Sequence, residues 1–182
     1  MPTRSRRKSN GRNTSSRMDA ISLLKKDHQE VRKLLKRLES TNEKNVTRRE
    51  ELLGRVENEI KIHTTIEQEI FYPAFKAAMR LKADQELYYE SLEEHHVVDL
   101  VMPEVKQTPM DSEKFAAKAK VLKDLIEHHA GEEEQEMFPR VRKAMDTSEL
   151  KELGQRMRAR KQQLTNSGTL ARLLGRRGTH AA

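Results

Sequence analysis

Hydrophobic residues recur every three or four positions through most of the chain, a spacing that places them on one face of an α-helix. No stretch alternates with the two-residue period of a half-buried β-strand. The pattern predicts four long amphipathic helices and a short fifth one, over about 18–41, 47–80, 84–107, 112–145 and 146–164. Because short connections join the long helices, we predict an all-α fold, an antiparallel up-down-up-down four-helix bundle with an additional short C-terminal helix.

Helix boundaries are marked by capping residues and prolines. Thr47–Glu50 and Asp146–Glu149 have the form of capping boxes and predict the starts of the second and fifth helices. Residues 109–112 break the chain and predict the start of the fourth helix. Three prolines lie late in the predicted helices, where each is expected to kink or loosen the last turns: Pro73, Pro103 and Pro139.

Histidine and glutamate interrupt the apolar seams in a pattern that occurs twice along the chain. Each half has a lone histidine and, at nearly the same separation, a second histidine with a glutamate four residues later. A proline then follows at the same distance in both halves, which indicates one structural unit used twice. The six residues are His28, His63 and Glu67 in the first half, and His95, His129 and Glu133 in the second.

This pattern predicts a metal site. Positions four residues apart are neighbours on one helix face, so each paired histidine and glutamate can face the same point. A buried carboxylate costs several kcal/mol unless it is protonated, paired or bound to a cation. Four imidazoles and two carboxylates are too many for one tetrahedral zinc ion. They suit two non-haem iron ions, with manganese or zinc as substitutes.

One alternative register remains open in the second half. His128 and Glu132 have the same spacing as His129 and Glu133, although the alignment on Pro139 favours the latter pair. His96 and His128 are each interpreted as neighbours of a better-placed histidine, and His180 lies near the C-terminus.

Composition limits the classes of function. The 182 residues include no cysteine, which excludes disulfides and thiolate ligands, and the apolar runs are too short to span a membrane. The net charge is +7, but the segments 1–17 and 156–182 contain many basic residues and no acidic residue, so the part between them is acidic. We therefore predict solvated, disordered basic tails at 1–17 and 166–182. The alternative is weak electrostatic attraction to nucleic acid or another polyanion, although no aromatic residue is interleaved with the basic residues and no binding motif is present. The expected location is the cytoplasm.

The duplicated pattern, with Phe-Tyr-Pro73 and Met-Phe-Pro139 after the glutamates, resembles the hemerythrin-like HHE cation-binding domain family over about residues 18–145. The resemblance implies a four-helix bundle, with 146–165 as an added helix, around an oxo- or hydroxo-bridged di-iron centre. It also implies that the four histidines are terminal ligands and that the two glutamates bridge the irons. Members of this family bind O₂ reversibly, sense O₂ or iron, or handle peroxide or nitric oxide.

Two positions depart from oxygen-carrying hemerythrin. That protein has a further histidine four residues after the third-helix histidine, where this chain has Asp99. It also has an aspartate five residues after the fourth-helix histidine, where this chain has Glu134. These departures argue against simple O₂ carriage. Candidates for hydrogen bonds to the ligands are Glu94, Tyr88 and Tyr89.

The sequence thus predicts a non-haem di-iron protein that binds or senses O₂ or a related small ligand such as peroxide or nitric oxide. The alternative is a di-iron enzyme that consumes peroxide or nitric oxide. A ferritin-like iron oxidase needs Glu-x-x-His on two helices, and only Glu93–His96 has that spacing. A further alternative is a scaffold whose basic tails carry the function and whose metal is structural.

Overall fold

The computed structural model describes residues 18–79 and 81–177, with side chains up to residue 167. The predicted tail 1–17 and residues 178–182 lie outside this part of the chain. Every regular element in the described part is a helix, so the prediction of an all-α helical bundle is confirmed. The elements are α1 (Ala20–Glu39), α2 (Val46–Ile66), π1 (Glu67–Phe71), α3 (Tyr72–Ala78), α4 (Lys82–Gln107), α5 (Glu113–Glu132), π2 (Glu133–Met137), α6 (Phe138–Ala144) and α7 (Thr147–Arg177).

Two apolar clusters fill the bundle. One joins the first half of α1 to the aromatic residues that follow each π segment, and it contains Leu24, Phe75 and Phe138. The other joins the second half of α1 to the beginnings of α2 and α5, and it contains Leu38 and Leu53. Each fully buried side chain of this size contributes about 1.5–3 kcal/mol to stability. On α1, His28 lies between the residues of the first cluster and those of the second. The predicted site therefore lies between the two apolar clusters.

The second and fourth predicted helices each contain a five-residue π-helical segment. In π1 the Tyr72 N–H donates to the Glu67 carbonyl, and in π2 the Phe138 N–H donates to the Glu133 carbonyl. The residue after each of these donors is a proline, which has no N–H to continue the α-helical ladder. The disturbance predicted at Pro73 and Pro139 is therefore a π segment that begins at the glutamate of the pattern. α4 continues through Pro103 to its last residue.

One of the two predicted capping boxes is present. The Asp146 N–H donates to Glu149 Oε2 at 2.7 Å, and the Glu149 N–H donates to Asp146 Oδ1 at 2.9 Å. The prediction at Thr47–Glu50 is wrong, because α2 begins one residue earlier and its N-cap is Asn45. The Asn45 side chain instead accepts from the Asn42 N–H at 3.0 Å and closes the preceding turn.

The fifth helix is longer than predicted. We expected a short helix that ends near Leu164 and a flexible segment from 166, but α7 extends to Arg177. The residues after Leu164 include isolated glycines and no proline, so nothing there blocks the main-chain hydrogen bonds of a helix. α7 packs closely on α1 at Gly154, where a Cβ atom would lie 2.7 Å from the Ala20 nitrogen.

Candidate metal centre

The structure brings the six residues of the duplicated pattern together in the middle of the bundle. Both glutamates are fully buried, and the four histidines are no more than 7% exposed. Each histidine comes from a different long helix, and each glutamate is the first residue of a π segment. The contributions are His28 from α1, His63 from α2, Glu67 from π1, His95 from α4, His129 from α5 and Glu133 from π2.

The first half of the site forms around α1 and α2. The Nε2 atoms of His28 and His63 lie 3.1 Å apart. Glu67 Oε1 lies 3.1 Å from His63 Nε2, and Glu133 Oε2 lies 3.1 Å from His28 Nε2. Two imidazole nitrogens and two carboxylate oxygens therefore surround one point, a donor set that a divalent transition metal accepts.

The second half has the same construction. The Nε2 atoms of His95 and His129 lie 3.0 Å apart, and Glu67 Oε2 lies 3.4 Å from His95 Nε2. Glu133 Oε2 lies 3.9 Å from His129 Nε2. One oxygen of Glu67 thus faces each half of the site. Glu133 Oε2 lies near a histidine of each half, closer to His28 than to His129.

Three of the four oxygens of Glu67 and Glu133 lack a hydrogen-bond donor among the described residues. Among the described residues, neither oxygen of Glu67 has a hydrogen-bond partner, and the same is true of Glu133 Oε2. A buried polar group without a partner costs about 1–3 kcal/mol, and a charged group costs more. Cations between the two halves would satisfy these oxygens and would also use the inward lone pairs of the imidazoles. The residues therefore fit a pair of metal ions.

Carboxylates hold the outward nitrogens of two of the histidines. His28 Nδ1 lies 2.8 Å from Glu134 Oε1, and His129 Nδ1 lies 2.7 Å from Glu94 Oε2. An Nδ1–H that donates to a carboxylate leaves Nε2 free to bind a metal and fixes the plane of the ring. The interpretation of Glu94 as a hydrogen-bond partner is confirmed, whereas the sequence analysis assigned no such role to Glu134.

The other two histidines have different neighbours at Nδ1. His95 Nδ1 lies 3.1 Å from the Gln68 side-chain amide, and His63 Nδ1 faces Asp27 Oδ2 at 3.9 Å. The neighbours occupy equivalent places in the repeat: Gln68 and Glu134 each follow a site glutamate, and Asp27 and Glu94 each precede a lone histidine. The duplication therefore includes the residues behind the histidines.

Two aromatic rings close one side of the centre. Tyr72 stacks on His95 with centroids 5.5 Å apart, and Phe138 stacks on His28 with centroids 5.9 Å apart. The Tyr72 hydroxyl donates to Glu133 Oε1 at 3.0 Å. Tyr72 and Phe138 occupy equivalent positions in the two halves of the repeat, so an alignment of the halves could have identified both rings as neighbours of the site.

The opposite side contains a small cavity. Its volume is about 30 Å³, and a single water molecule needs about 10–15 Å³. Aliphatic side chains and the four histidines form most of its wall, which includes Val31, Ile60, Val98 and Ile126. The cavity therefore has room for a very small molecule.

Without a metal, the buried His63 and Glu67 form an ion pair. Burial alone would lower the pKa of His63, but the Glu67 carboxylate, helped by Asp27 and Glu133, raises it to about 10. Burial alone would raise the pKa of Glu67, but His63 and His95 hold it well below its usual value. Burial and the nearby carboxylates raise the pKa of Tyr72 well above its usual range. A metal ion must therefore displace the proton of His63, and in the metal-free chain the phenol of Tyr72 keeps its own.

The alternative register lies at the rim of the site. The His128 side chain is 63% exposed and contacts Glu94 and Glu132 at 3.4 and 3.5 Å. The buried groups of histidines and glutamates that could bind a metal contain His129 and Glu133 instead. His96 and Asp99 are exposed and belong to neither half of the site.

The two predicted tyrosines do not contact the six residues. Tyr88 packs edge-on against Tyr72, with centroids 6.2 Å apart. Tyr89 is 55% exposed, and its hydroxyl accepts from Lys76 Nζ at 3.3 Å. The tyrosine beside the site is Tyr72, which the π segment places one turn after Glu67.

Comparison with known proteins identifies the family of the chain. The chain is 32% identical over 151 residues to the uncharacterised protein Rv2633c of Mycobacterium tuberculosis, a match that covers 82% of this chain and 89% of that protein. It is also similar to the crystal structure of a hemerythrin HHE cation binding domain-containing protein from Mycobacterium kansasii, a homologue of Rv2633c. That match has a TM-score of 0.73 and 28% identity, and it covers 84% of this chain and 90% of the other. Residues 19–141 match the hemerythrin HHE cation-binding domain, and the chain belongs to that family.

Proposed function

We propose that the six residues hold two iron ions and that manganese or zinc can substitute for them. His28 and His63 would be terminal ligands of one ion, and His95 and His129 of the other. Glu67 would bridge the two, with Glu133 as the second bridge. The observation that carries this proposal is that both buried oxygens of Glu67 lack a hydrogen-bond partner among the described residues. We also propose the up-down-up-down order of the four long helical segments. The first half of α1 packs against the residues that follow the two π segments, and its second half packs against the beginnings of α2 and α5, as antiparallel neighbours do.

The ligand of this centre is proposed to be O₂ or a molecule of similar size, such as peroxide or nitric oxide. The size and the aliphatic wall of the cavity support this choice, because a larger or strongly polar substrate would not fit. A pair of iron ions supplies redox chemistry toward such molecules. The protein would contribute the site, a dry wall on each side, and a fixed orientation of every imidazole.

A second function, consumption of peroxide or nitric oxide, is favoured by Tyr72. Its phenol is fully buried, keeps its proton in the metal-free chain and lies 3.0 Å from Glu133 Oε1 and 3.3 Å from His95 Nε2. Because Tyr72 lies on the side of the centre opposite the cavity, it would supply a proton through Glu133 or His95, and a proton relay of this kind serves turnover more than it serves reversible binding.

The test compares two properties of the purified full-length chain. Metal content and the absorption spectrum in air would be measured first, with two irons and visible charge-transfer bands as the expected result. Peroxide loss would then be followed for the wild type and for Tyr72→Phe at matched iron content. Binding without turnover predicts no difference in rate from free iron. An enzyme predicts faster loss that falls in Tyr72→Phe.

Partners and location remain predictions. The N-terminal basic segment lies outside the described residues, so attraction to nucleic acid or another polyanion rests on charge alone. In the part of the chain that the structure covers, no helix is sufficiently long and apolar to cross a membrane. The cytoplasmic location is still a prediction.

A further inference from the structure

Lys161 connects α7 to the buried part of α1. Its side chain is 25% exposed, and Nζ lies 2.8 Å from Asp27 Oδ1 and 3.7 Å from Glu59 Oε2. Asp27 is 8% exposed at its side chain and immediately precedes His28 in the sequence. Lys161 lies beyond residues 19–141, the segment that matches the family. A side chain from the added helix therefore reaches a buried carboxylate next to the candidate metal centre.

The second oxygen of Asp27 faces the centre. Asp27 Oδ2 lies 3.9 Å from His63 Nδ1, and both atoms are buried without a hydrogen bond to any described residue. An N–H···O hydrogen bond has a length of about 2.9 Å, so a shift of about 1 Å would join the two atoms. Because each atom has no other partner, contact between them is the arrangement that satisfies both.

The equivalent contact in the other half of the repeat is already closed. Glu94 corresponds to Asp27, and its Oε2 lies 2.7 Å from His129 Nδ1. Glu94 has one more methylene group and reaches the ring without help. Within the described residues its ion-pair neighbours are histidines, whereas Asp27 is paired with a lysine. Asp27, which has the shorter side chain, therefore lies farther from its histidine than Glu94 does, and its other oxygen is paired with Lys161.

We propose that Lys161 is a positioning residue for the metal centre. It holds Asp27 against the outward nitrogen of His63 and thereby fixes the orientation of that imidazole toward the ion bound between His28 and His63. α7 then controls one half of the centre, and the half that contains His95 and His129 is independent of it. This inference rests on the proposed function, because it requires His63 to be a metal ligand.

Substitutions in α7 separate positioning from simple attachment of the helix. Lys161→Met removes the contact to Asp27. Arg160→Met is the matched control, because Arg160 also ties α7 to the bundle, through Glu69 at 2.6 Å, but does not reach a histidine. Lys161→Arg keeps the charge and is expected to restore the wild-type result. Asp27→Asn tests the same chain of contacts without changing α7.

The measurement is a titration of the metal-free full-length chain with Co²⁺, in which the absorption bands report the surroundings of each ion. Loss of the carboxylate behind a ligating histidine weakens metal binding by about 10–100-fold, and we expect this for Asp27→Asn. Lys161→Met should weaken one of the two ions by up to about 10-fold and shift its bands, with the other ion unchanged. Circular dichroism would show that the helix content of both α7 variants is retained.

The outcomes distinguish this inference from the proposed function. If the wild type does not bind two ions, the proposed function fails. If the wild type binds two ions and Lys161→Met matches it in affinity and spectrum, the positioning role is wrong. Equal shifts in Lys161→Met and Arg160→Met would also overturn it, because they would reflect attachment of α7 alone.

Discussion

Glu67→Gln is the substitution that most sharply separates a metal ligand from a packed polar residue. Gln has nearly the same shape, so the change removes the charge and one acceptor oxygen while filling the same space. Glu67 belongs to both groups of ligand-type atoms in the site. Without it, the first ion keeps His28, His63 and Glu133, whereas the second keeps His95, His129 and a more distant Glu133, whose Oε2 lies 3.9 Å from His129 Nε2. Two close imidazoles and one distant carboxylate hold a divalent ion poorly, so we expect Glu67→Gln to bind at most one ion per chain tightly.

The loss should appear in stability as well as in metal content. An ion present at 100 times its dissociation constant stabilises the folded state by about 2.7 kcal/mol, so two independent ions contribute about 5.4 kcal/mol. For a chain of this length, each kcal/mol shifts the Tm by about 2–4 °C. Saturation with metal should therefore raise the Tm of the wild type by roughly 10–20 °C, and that of Glu67→Gln by at most about half as much.

The assay is thermal unfolding with and without Fe²⁺ under anaerobic conditions, together with metal analysis of the same samples. Glu69→Gln is the matched control, because Glu69 lies in the same π segment but is exposed and pairs with Arg160. The control should retain two ions and the full rise in Tm. If Glu67→Gln also retains both, Glu67 is not a ligand and the reasoning from its buried oxygens is wrong.

Three further predictions test the register, the packing and the protonation of the site. His129→Ala should lose at least one ion and His128→Ala should retain both, as measured by metal analysis; the reverse result would support the other register. Gly54→Ala should stabilise the chain by about 0.5–1 kcal/mol in urea unfolding, because its Cβ meets no atom within 4 Å. Gly154→Ala should destabilise it by about 1–3 kcal/mol, because its Cβ would meet main-chain atoms at 2.7 Å; equal effects would show that α7 does not pack closely on α1. The raised pKa of His63, about 10 against an ordinary 6.5, contributes stability to the metal-free chain that is complete below about pH 6.5 and is lost as the pH rises through about 10. Urea unfolding in chelator should therefore show a falling free energy from pH 7 to 10, and an increase over this range would contradict the assignment.

Much of the architecture could be predicted because it depends on local spacing. The apolar period predicts helices, and a histidine and a glutamate four residues apart must share a helix face. Their place in an apolar seam then predicts that they point into the bundle. The structure brings all six predicted residues together, and their role as ligands stays a proposal.

The features that sequence reasoning missed depend on where elements meet. The π segments end just before Pro73 and Pro139, and the first of them is followed by Tyr72, whose hydroxyl contacts Glu133. The contact between Lys161 and Asp27 depends on how α7 docks, which no local pattern indicates. The capping box expected at Thr47 fails because α2 already begins at Val46, so Thr47 lies inside the helix.

The central claim is that this bundle binds two metal ions between its four histidines. The most direct test is the metal content per chain of protein purified from iron-replete cells, with an absorption spectrum of the same sample in air. The account predicts two irons per chain, with near-ultraviolet and visible bands that disappear in Glu67→Gln. One zinc per chain, or no metal at all, would contradict it.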